Sequence, residues 1–238
     1  VMTKKKIVGR LSDGLVSLMT SLGEKIGAVR YSSTKSDVPD KELLAMYKKS
    51  WVVKKYIDKT AADMLKLPRT FSGDVDSTLV QRIEDIETEL QLDQVFNDAL
   101  SWASLMGDSL IVAVTDCSDE LIASEVNLQS EDIIKFLVFR KGEYTPDSNV
   151  ITDVSSPYFG EPLTYQIDIG NKQLRFHHTR CHRTKLGRHS IKDRAQYGTS
   201  DLQAPYEHIK TFDTAILSTG DTIQEANVDV LFVPGMNN

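Results

Sequence analysis

The segment DQVFNDALSWASLMGDSLIVAVT, residues 93–115, changes its hydrophobic pattern half-way along. The first half places apolar side chains on one helical face and predicts a helix from about Asp93 to Met106. Gly107 suits the end of this helix, because glycine adopts a left-handed backbone without steric cost. The following Ser109–Thr115 is a short apolar run typical of a buried strand. This segment divides a helical first half from a β-rich module, and that separation favours the α+β class. The inward-facing positions of the helix are Val95, Phe96, Ala99, Leu100 and Ala103.

Helices are also predicted before this segment. Asp40 is placed as the N-cap of KELLAMYKKSWVVKKYIDKTAADML, which forms one helix or two with a bend near Ser50. After a turn at Pro68 and Gly73, another helix begins at about Asp76. Residues 1–39 are weakly patterned, with a marginal helix and a flexible arm. The first half of the chain is therefore expected to consist of an arm (1–39) and a helical region (40–107).

The sequence after the first strand is rich in strand-forming residues. Ile133–Phe139, Leu163–Ile169 and Lys172–His178 predict strands, and Gly170-Asn171 predicts a hairpin turn between the last two. Ser200 is placed to cap a long helix that Gly220 is able to interrupt, and VDVLFVPG at the end predicts a strand. We therefore expect a β-rich module at 108–195 and a long helix with a strand at 196–238.

Composition excludes several protein classes. The longest apolar run, Leu110–Val114, is far shorter than the ~20 residues of a membrane-spanning helix. No apolar segment follows VMTKKK at the start, so a signal peptide is not indicated. Cys117 and Cys181 are far apart and form no CxxC motif, which favours a reducing compartment over a disulfide framework.

Charge is unevenly distributed along the chain. The segment from Lys172 to Arg194 contains eight basic residues and one acidic residue, so it carries +7 while the whole chain carries −6 and the remainder −13. Such a segment is either a surface that binds an acidic partner or a solvated basic hairpin. The candidate contact residues are Arg175, Arg180, Arg183, Lys185, Arg188, Lys192 and Arg194.

The stretch RFHHTRCHRT, residues 175–184, raises the question of catalysis or metal binding. His177, His178, Cys181 and His182 offer zinc-type ligands, but neighbouring side chains on a strand point to opposite faces. The stretch also contains His-x-Thr twice, as in two-histidine phosphoesterases, but the two motifs are almost contiguous and cannot face each other on separate strands. There is no GxSxG, Walker or GxGxxG motif. We therefore expect no catalytic, metal-binding or cofactor-binding residue.

The order of several weak motifs resembles the portal-like family of tailed phages and prophages. These motifs are Phe159-Gly160-Glu161-Pro162 followed by Tyr165, Phe176-His177-His178-Thr179-Arg180, and Gly198-Thr199-Ser200-Asp201-Leu202. The resemblance extends from about residue 40 to the end. One departure is Thr179, where the family usually has serine. Family chains also continue well beyond position 238, so the C-terminal part of a portal subunit is expected to be missing.

The resemblance implies a structural protein that is not an enzyme and needs no cofactor. Its subunits would form a homo-oligomeric ring, a dodecamer, at one capsid vertex of the virion, through which double-stranded DNA is packaged and ejected. The expected partners are the terminase motor, the head-tail adaptor, capsid and scaffold proteins, and non-specifically bound DNA, with no membrane. Assembly would occur in the host cytoplasm. Region 40–107 would be wing-like, 108–195 wing- or clip-like, and 196–238 associated with the channel.

Two alternatives remain open at the level of sequence. Some members of this portal-like family carry a separate C-terminal phosphoesterase domain that destroys cyclic nucleotide signals, so a phage phosphodiesterase is the first alternative. The second is a nucleic-acid-binding module that uses the basic segment. Under the portal interpretation, RFHHTRCHRT would be a strand followed by a loop that leads into the helix near Ser200. Its arginines would contact a neighbouring subunit, the motor, the adaptor or DNA, and its histidines would be polar strand residues.

Overall fold

The computed structural model describes most of the chain after residue 36, and its five helices and six strands confirm the α+β class. The helices are α1 (Asp40–Lys49), α2 (Trp51–Met64), α3 (Ser77–Glu89), α4 (Leu92–Met106) and α5 (Tyr206–Ala226). The strands are β1 (Asp108–Thr115), β2 (Ile133–Arg140), β3 (Tyr144–Pro146), β4 (Thr164–Ile169), β5 (Lys172–His177) and β6 (Cys181–Lys185). The described residues are 37–67, 69, 76–118, 122–127, 129, 131–170, 172–187, 190 and 193–226.

The helical half follows the predicted pattern closely. Ser50 is buried and extended, with ψ 116°, and it separates α1 from α2 at the predicted bend. The carboxylate of Asp76 accepts the Thr78 N–H at 3.0 Å and caps α3. Gly107 ends α4 with φ 89°, as predicted. The helical core consists of Leu43, Val53, Ile57, Leu105, Met106 and Leu202.

Two antiparallel three-stranded sheets make up the β-rich part. The first has the order β2-β1-β6, and α4 packs against its strands β1 and β2. The second has the order β3-β4-β5. A second apolar core joins β1 to this second sheet, so the two sheets share buried side chains. Its members are Leu110, Val112, Tyr144, Tyr165, Ile167 and Phe176.

The stretch RFHHTRCHRT does not form one strand, which corrects the expectation of a single strand followed by a loop. Its first part ends β5 in the second sheet, and a single 3₁₀ turn at His178–Arg180 redirects the chain. Its last part forms β6 beside β1 in the first sheet. The turn is closed locally, because the ring of His177 accepts the Thr179 N–H at 3.4 Å and lies 3.0 Å from the Thr179 hydroxyl. This stretch therefore connects the two sheets.

The long helix begins later than predicted. Residues 201–205 form turns, α5 starts at Tyr206, and Gly220 does not interrupt it. A glycine inside an exposed helix is destabilising by about 1 kcal/mol relative to alanine. The helix of 21 residues remains continuous despite this cost. The predicted N-terminal helix and arm, apart from residues 37–39, and the predicted C-terminal strand lie outside the described residues. Within the described part, no helix has both the length and the apolar character needed to cross a membrane.

Candidate functional site

Asp108, the first residue of β1, is a charged side chain with 0% exposure. Its carboxylate accepts hydrogen bonds from the Arg183 guanidinium, the Tyr144 hydroxyl at 2.6 Å and the Gly198 N–H at 3.1 Å. Nε of Arg183 lies 3.0 Å from both carboxylate oxygens, and its Nη2 lies 2.5 Å from one of them. A buried carboxylate is tolerated only where it is paired and hydrogen-bonded in this way. Asp108 therefore organises the start of the sheet.

Arg183 extends this network to the segment that leads into α5. Its guanidinium also donates to the backbone carbonyls of Arg194 at 3.1 Å and Gln196 at 2.7 Å. Burial alone would lower the pKa of Arg183, but the hydrogen bond and the charge of Asp108 raise that pKa above its usual range. Burial and the Asp108 charge likewise raise the pKa of the Tyr144 hydroxyl. Both shifts favour the protonated form of these two groups.

Two glycines allow the chain to pass very close to itself beside Asp108. A Cβ on Gly107 would lie 2.5 Å from the Gly198 carbonyl oxygen, and a Cβ on Gly198 would lie 2.0 Å from the Gly107 carbonyl oxygen. The Gly107 carbonyl accepts the Leu186 N–H at 2.9 Å, and the Leu186 carbonyl accepts the Thr199 N–H at 3.1 Å. We call Gly107, Asp108, Arg183 and Gly198 the junction. It fixes the backbone from which α5 departs.

Ser200 and Asp201 cap the end of α4 rather than the start of α5. The Ser200 hydroxyl donates to the Leu105 carbonyl at 2.7 Å, and the Asp201 N–H donates to the Ser104 carbonyl at 3.1 Å. The last carbonyls of a helix lack partners within the helix, so these bonds complete α4. The Ser104 hydroxyl in turn donates a hydrogen bond of 2.5 Å to the Asp201 carboxylate. The predicted N-cap role of Ser200 is therefore wrong, although the motif around it is structurally important.

Arg180 forms a second internal ion pair. Its side chain is 1% exposed, and it donates to the Glu131 carboxylate at 2.5 and 2.9 Å and to the Thr115 hydroxyl at 2.8 Å. Hydrogen bonds from Arg180 and Thr115 lower the pKa of Glu131 to about 2. This pair ties the 3₁₀ turn to the loop before β2.

The structure corrects the expected exposure of Arg180 and Arg183. Both were predicted as surface contacts to a partner, yet their side chains are 1% and 5% exposed and each is paired with a carboxylate of the same subunit. Their spacing along the segment does not distinguish an inward arginine from an outward one, because the partner carboxylates are distant in sequence.

The remaining basic candidates differ in position. Arg175 is exposed on β5. Lys185 is half-buried and donates to the Asp193 and Arg194 carbonyls at 2.7 and 3.1 Å. Arg194 donates to the Phe159 carbonyl at 2.7 Å. Arg188 and Lys192 lie outside the described residues. Among the basic candidates that the structure describes, Arg175 is therefore the one that faces solvent.

The histidines of the two His-x-Thr motifs occupy different environments. His177 is buried, and burial together with the neighbouring His178 lowers its pKa. The rings of these two residues are 4.4 Å apart, and Tyr158 packs against His178. His182 lies on β6 opposite Ile111, with its side chain exposed. In the part of the chain that the structure describes, no group of three or more histidine, cysteine or acidic residues is arranged to hold a metal ion.

The long helix α5 has few contacts beyond its first turns. Every residue from Thr214 to Glu225 is exposed, and Ile209, Phe212, Ile216 and Ile223 share one face of the helix. Ile209 packs against the helical core, whereas the other three are at least 46% exposed. We call Phe212, Ile216 and Ile223 the α5 stripe. An apolar stripe of this kind is typical of a helix that packs against another surface.

Comparison with known proteins identifies the family. The sequence model of the family described as "Phage portal protein" matches residues 41–238, which is most of the chain. The chain belongs to the phage portal protein family. Two of the three motifs that carried the resemblance fall at structurally important positions: Phe176–Arg180 lies at the sheet-to-sheet connection, and Gly198–Leu202 begins at the junction and continues to the cap of α4.

A solved structure supports the fold. The described chain is similar to a chain from the neck of an empty GTA particle computed with C6 symmetry, with a TM-score of 0.51 and 14% identity. The match covers 84% of this chain and 50% of that chain. At this identity the similarity concerns the fold alone.

Curated relatives match nearly the whole chain. An uncharacterized protein of Haemophilus influenzae is 28% identical over 95% of this chain and 52% of its own length. Two proteins named Anti-CBASS protein Acb1, from Caulobacter sp. and Sphingomonas paeninsulae, are 30% and 26% identical over 94% of this chain and 37% of their own length. The chain therefore spans about half or less of the curated relatives that it matches.

These two relatives correct one expectation. From the sequence we expected a protein that is not an enzyme, but two relatives named Anti-CBASS protein Acb1 match 94% of this sequence. A purely structural role can no longer be assigned on family resemblance. These relatives contradict the expectation that the protein is not an enzyme.

Proposed function

We propose that this chain is part of a phage portal subunit that assembles into a dodecameric ring at one capsid vertex, where double-stranded DNA enters and leaves. The observation that carries the proposal is the family match over residues 41–238. In this proposal the helices up to residue 107 form the wing-like part, the two sheets form the wing- or clip-like module, and α5 is associated with the channel.

The exposed half of α5 supports an assembled state. A helix with an apolar stripe in water is expected to bury that stripe against another surface. In a ring, the neighbouring subunit supplies such a surface, while the polar side of α5 remains available to solvent or to the channel. The net charge of −6 also suits a channel, because repulsion keeps the DNA backbone from binding tightly.

The partners follow from this role. A ring at the vertex would contact the terminase motor during packaging, the head-tail adaptor afterwards, and capsid and scaffold proteins during assembly in the host cytoplasm. Among the described basic candidates, Arg175 is placed to contact such a partner or the DNA backbone, since its side chain is exposed. Arg188 and Lys192 remain predicted contacts of the same kind.

Localisation in the virion tests this proposal. Purified particles should contain the full-length protein, and an antibody against it should label one vertex in electron micrographs. Particles that lack the protein, or label spread over the whole capsid, would contradict the proposal. A strain without the protein should accumulate capsids that contain no DNA.

The anti-CBASS relatives favour a second candidate function for the full-length protein, hydrolysis of cyclic nucleotides. In that case we place the reaction outside RFHHTRCHRT, because His177 is buried within its own turn. The test is turnover of a cyclic dinucleotide by full-length wild type and by His177→Ala and His182→Ala. Activity that survives both changes supports this placement, and loss of activity in a folded variant contradicts it.

A further inference from the structure

Segment 122–127 lies against the 3₁₀ turn that connects the two sheets. The His177 N–H donates to the Ile122 carbonyl at 3.1 Å, and the Val126 N–H donates to the Thr179 hydroxyl at 3.0 Å. The segment belongs to no helix or strand. Its position therefore depends on side-chain and backbone bonds to the turn.

A chain of hydrogen bonds fixes the protonation state of the His177 ring. Its Nδ1 accepts the Thr179 N–H, so this nitrogen carries no proton and the neutral ring is protonated on Nε2. The Thr179 hydroxyl, 3.0 Å from the same Nδ1, must then donate to it while it accepts the Val126 N–H. The hydroxyl that holds Val126 is thus oriented by a neutral histidine. We call His177, Thr179 and Val126 the clasp.

The surroundings of His177 oppose a positive charge on its ring. The residue is 7% exposed, the ring of His178 lies 4.4 Å away, and the Arg180 guanidinium belongs to the same turn. Burial, with the neighbouring His178 and Arg180, lowers the pKa of His177. Glu125 is the acidic residue that opposes this shift, and its side chain is exposed. A proton on His177 is therefore poorly compensated in the closed clasp.

His178 offers no better position for a proton. Its Nδ1 is buried and has no hydrogen-bond partner among the residues that the structure describes, and the Tyr158 ring packs against the imidazole. Both ring nitrogens of a protonated histidine are donors, so a charged His178 would bury an N–H without an acceptor. The two rings together are thus arranged for the neutral state.

We propose that the clasp is acid-sensitive and that protonation of His177 releases segment 122–127 from the sheet-to-sheet connection. A proton on Nδ1 sets the ring N–H against the Thr179 N–H and adds a positive charge beside Arg180. Movement of the charged ring into water relieves both conflicts. The Thr179 hydroxyl then loses the acceptor that orients it towards Val126.

The clasp acts at a higher pH than the pair between Arg180 and Glu131. Because the folded protein favours neutral His177, its stabilising effect is fully present above the ordinary pKa of 6.5 and is lost as the pH falls from there towards the lowered pKa. Glu131, with a pKa of about 2, stays ionised throughout this range. Mild acid therefore tests the clasp while the ion pair remains intact.

Amide hydrogen exchange followed by mass spectrometry tests the clasp in the full-length protein. Protection of the peptide that covers 122–127, corrected for the intrinsic exchange rate at each pH, should fall at least fivefold between about pH 7.5 and about pH 5. The loss should be reversed on return to neutral pH. Equal protection of this peptide at the two pH values would overturn the proposal, whatever the variants show.

Three variants separate His177 from other groups that titrate. His177→Asn keeps an acceptor near the position of Nδ1 but takes up no proton, so its protection should change less than twofold on acidification. Thr179→Val removes the hydroxyl and should have, already at neutral pH, the low protection of acidified wild type. His182→Asn, at an exposed position of the same stretch, is the matched control and should behave as wild type.

Each outcome supports or overturns the assignment. Acid release that persists in folded His177→Asn would overturn it, because another group such as His178 or Glu125 would then be responsible. Full protection of Thr179→Val at neutral pH would also overturn it, since Val126 would be held in another way. If circular dichroism shows that His177→Asn is unfolded, His178→Asn decides instead: release that remains supports the proposal, and release that disappears overturns it.

Discussion

Asp108 and Arg183 form a fully internal ion pair between the start of β1 and the middle of β6, with side chains 0% and 5% exposed. Three hydrogen bonds join the two groups, and the arginine also holds the backbone that leads towards α5. Part of the basic charge between residues 172 and 194 is thus used to build the subunit.

Removing one member of this pair should lower the free energy of unfolding of the subunit considerably. Asp108→Ala leaves the Arg183 guanidinium buried without a counter-ion, and a broken buried pair typically destabilises by about 3–5 kcal/mol. Arg183→Ala should have an effect of similar size. Urea unfolding followed by circular dichroism measures both. Arg175→Ala, at an exposed position of the same segment, should change the free energy of unfolding by less than about 0.5 kcal/mol. Losses below about 1 kcal/mol for both buried residues would contradict the structure.

A side chain at Gly107 should be poorly tolerated for two separable reasons. Gly107→Ala strains a residue with φ 89° and places a Cβ 2.5 Å from the Gly198 carbonyl oxygen. Gly142 has nearly the same φ, 91°, but a Cβ there would meet nothing within 4 Å, so Gly142→Ala measures the strain alone, about 1–2 kcal/mol. The Gly107 variant should lose about 1–3 kcal/mol more. Equal melting temperatures for the two variants would show that the close approach at the junction is wrong.

The pair between Arg180 and Glu131 should make stability depend on acid pH. The pKa of Glu131 in the folded protein, about 2, lies below its ordinary value of 4.5. Its stabilising effect is therefore present above pH 4.5 and is lost as the pH falls towards 2. Glu131→Gln should be less stable than wild type at pH 7, and the difference should shrink between pH 4.5 and pH 2. Thermal melting across this range measures it, with exposed Glu84→Gln as the control. A difference that stays constant down to pH 2 would count against the pair.

The α5 stripe should matter for assembly and not for folding. Ile223→Asp replaces an apolar side chain that is 61% exposed in the single subunit, so its melting temperature should stay close to that of wild type. Ring formation by the full-length protein should fall at least severalfold, because burying a carboxylate against a neighbour is unfavourable. Ser218→Asp, on the opposite side of α5, provides the control for added charge on this helix. Normal assembly of the Ile223 variant would show that the α5 stripe is not part of the interface.

Local patterns allowed much of the fold to be predicted from sequence. The bend at Ser50, the cap at Asp76 and the helix end at Gly107 each depend on the conformational preferences of residues close in sequence. The strands β3 and β6 were not predicted, but the positions of β1, β2, β4 and β5 follow from composition in the same way. These features need no knowledge of distant contacts, so the sequence alone was sufficient.

Features that depend on distant contacts were missed. Arg183 is paired with a carboxylate 75 positions away, and Arg180 with one 49 positions away, so neither burial is visible in the local charge pattern. Ser200 has the sequence context of an N-cap, yet it completes a helix that ends 94 positions earlier. The change of sheet within RFHHTRCHRT depends on a single 3₁₀ turn. The glycines at positions 107 and 198 were the signal available in the sequence, since Gly107 ends a predicted helix and Gly198 begins the motif Gly198–Leu202.

The central claim is that the full-length protein assembles into a portal ring, and its particle mass tests this most directly. Mass photometry with negative-stain electron microscopy should show ring-shaped particles with a central channel and a mass of twelve subunits, a dodecamer, at micromolar protein concentration. A monodisperse monomer or dimer under the same conditions, with normal secondary structure by circular dichroism, would contradict the account.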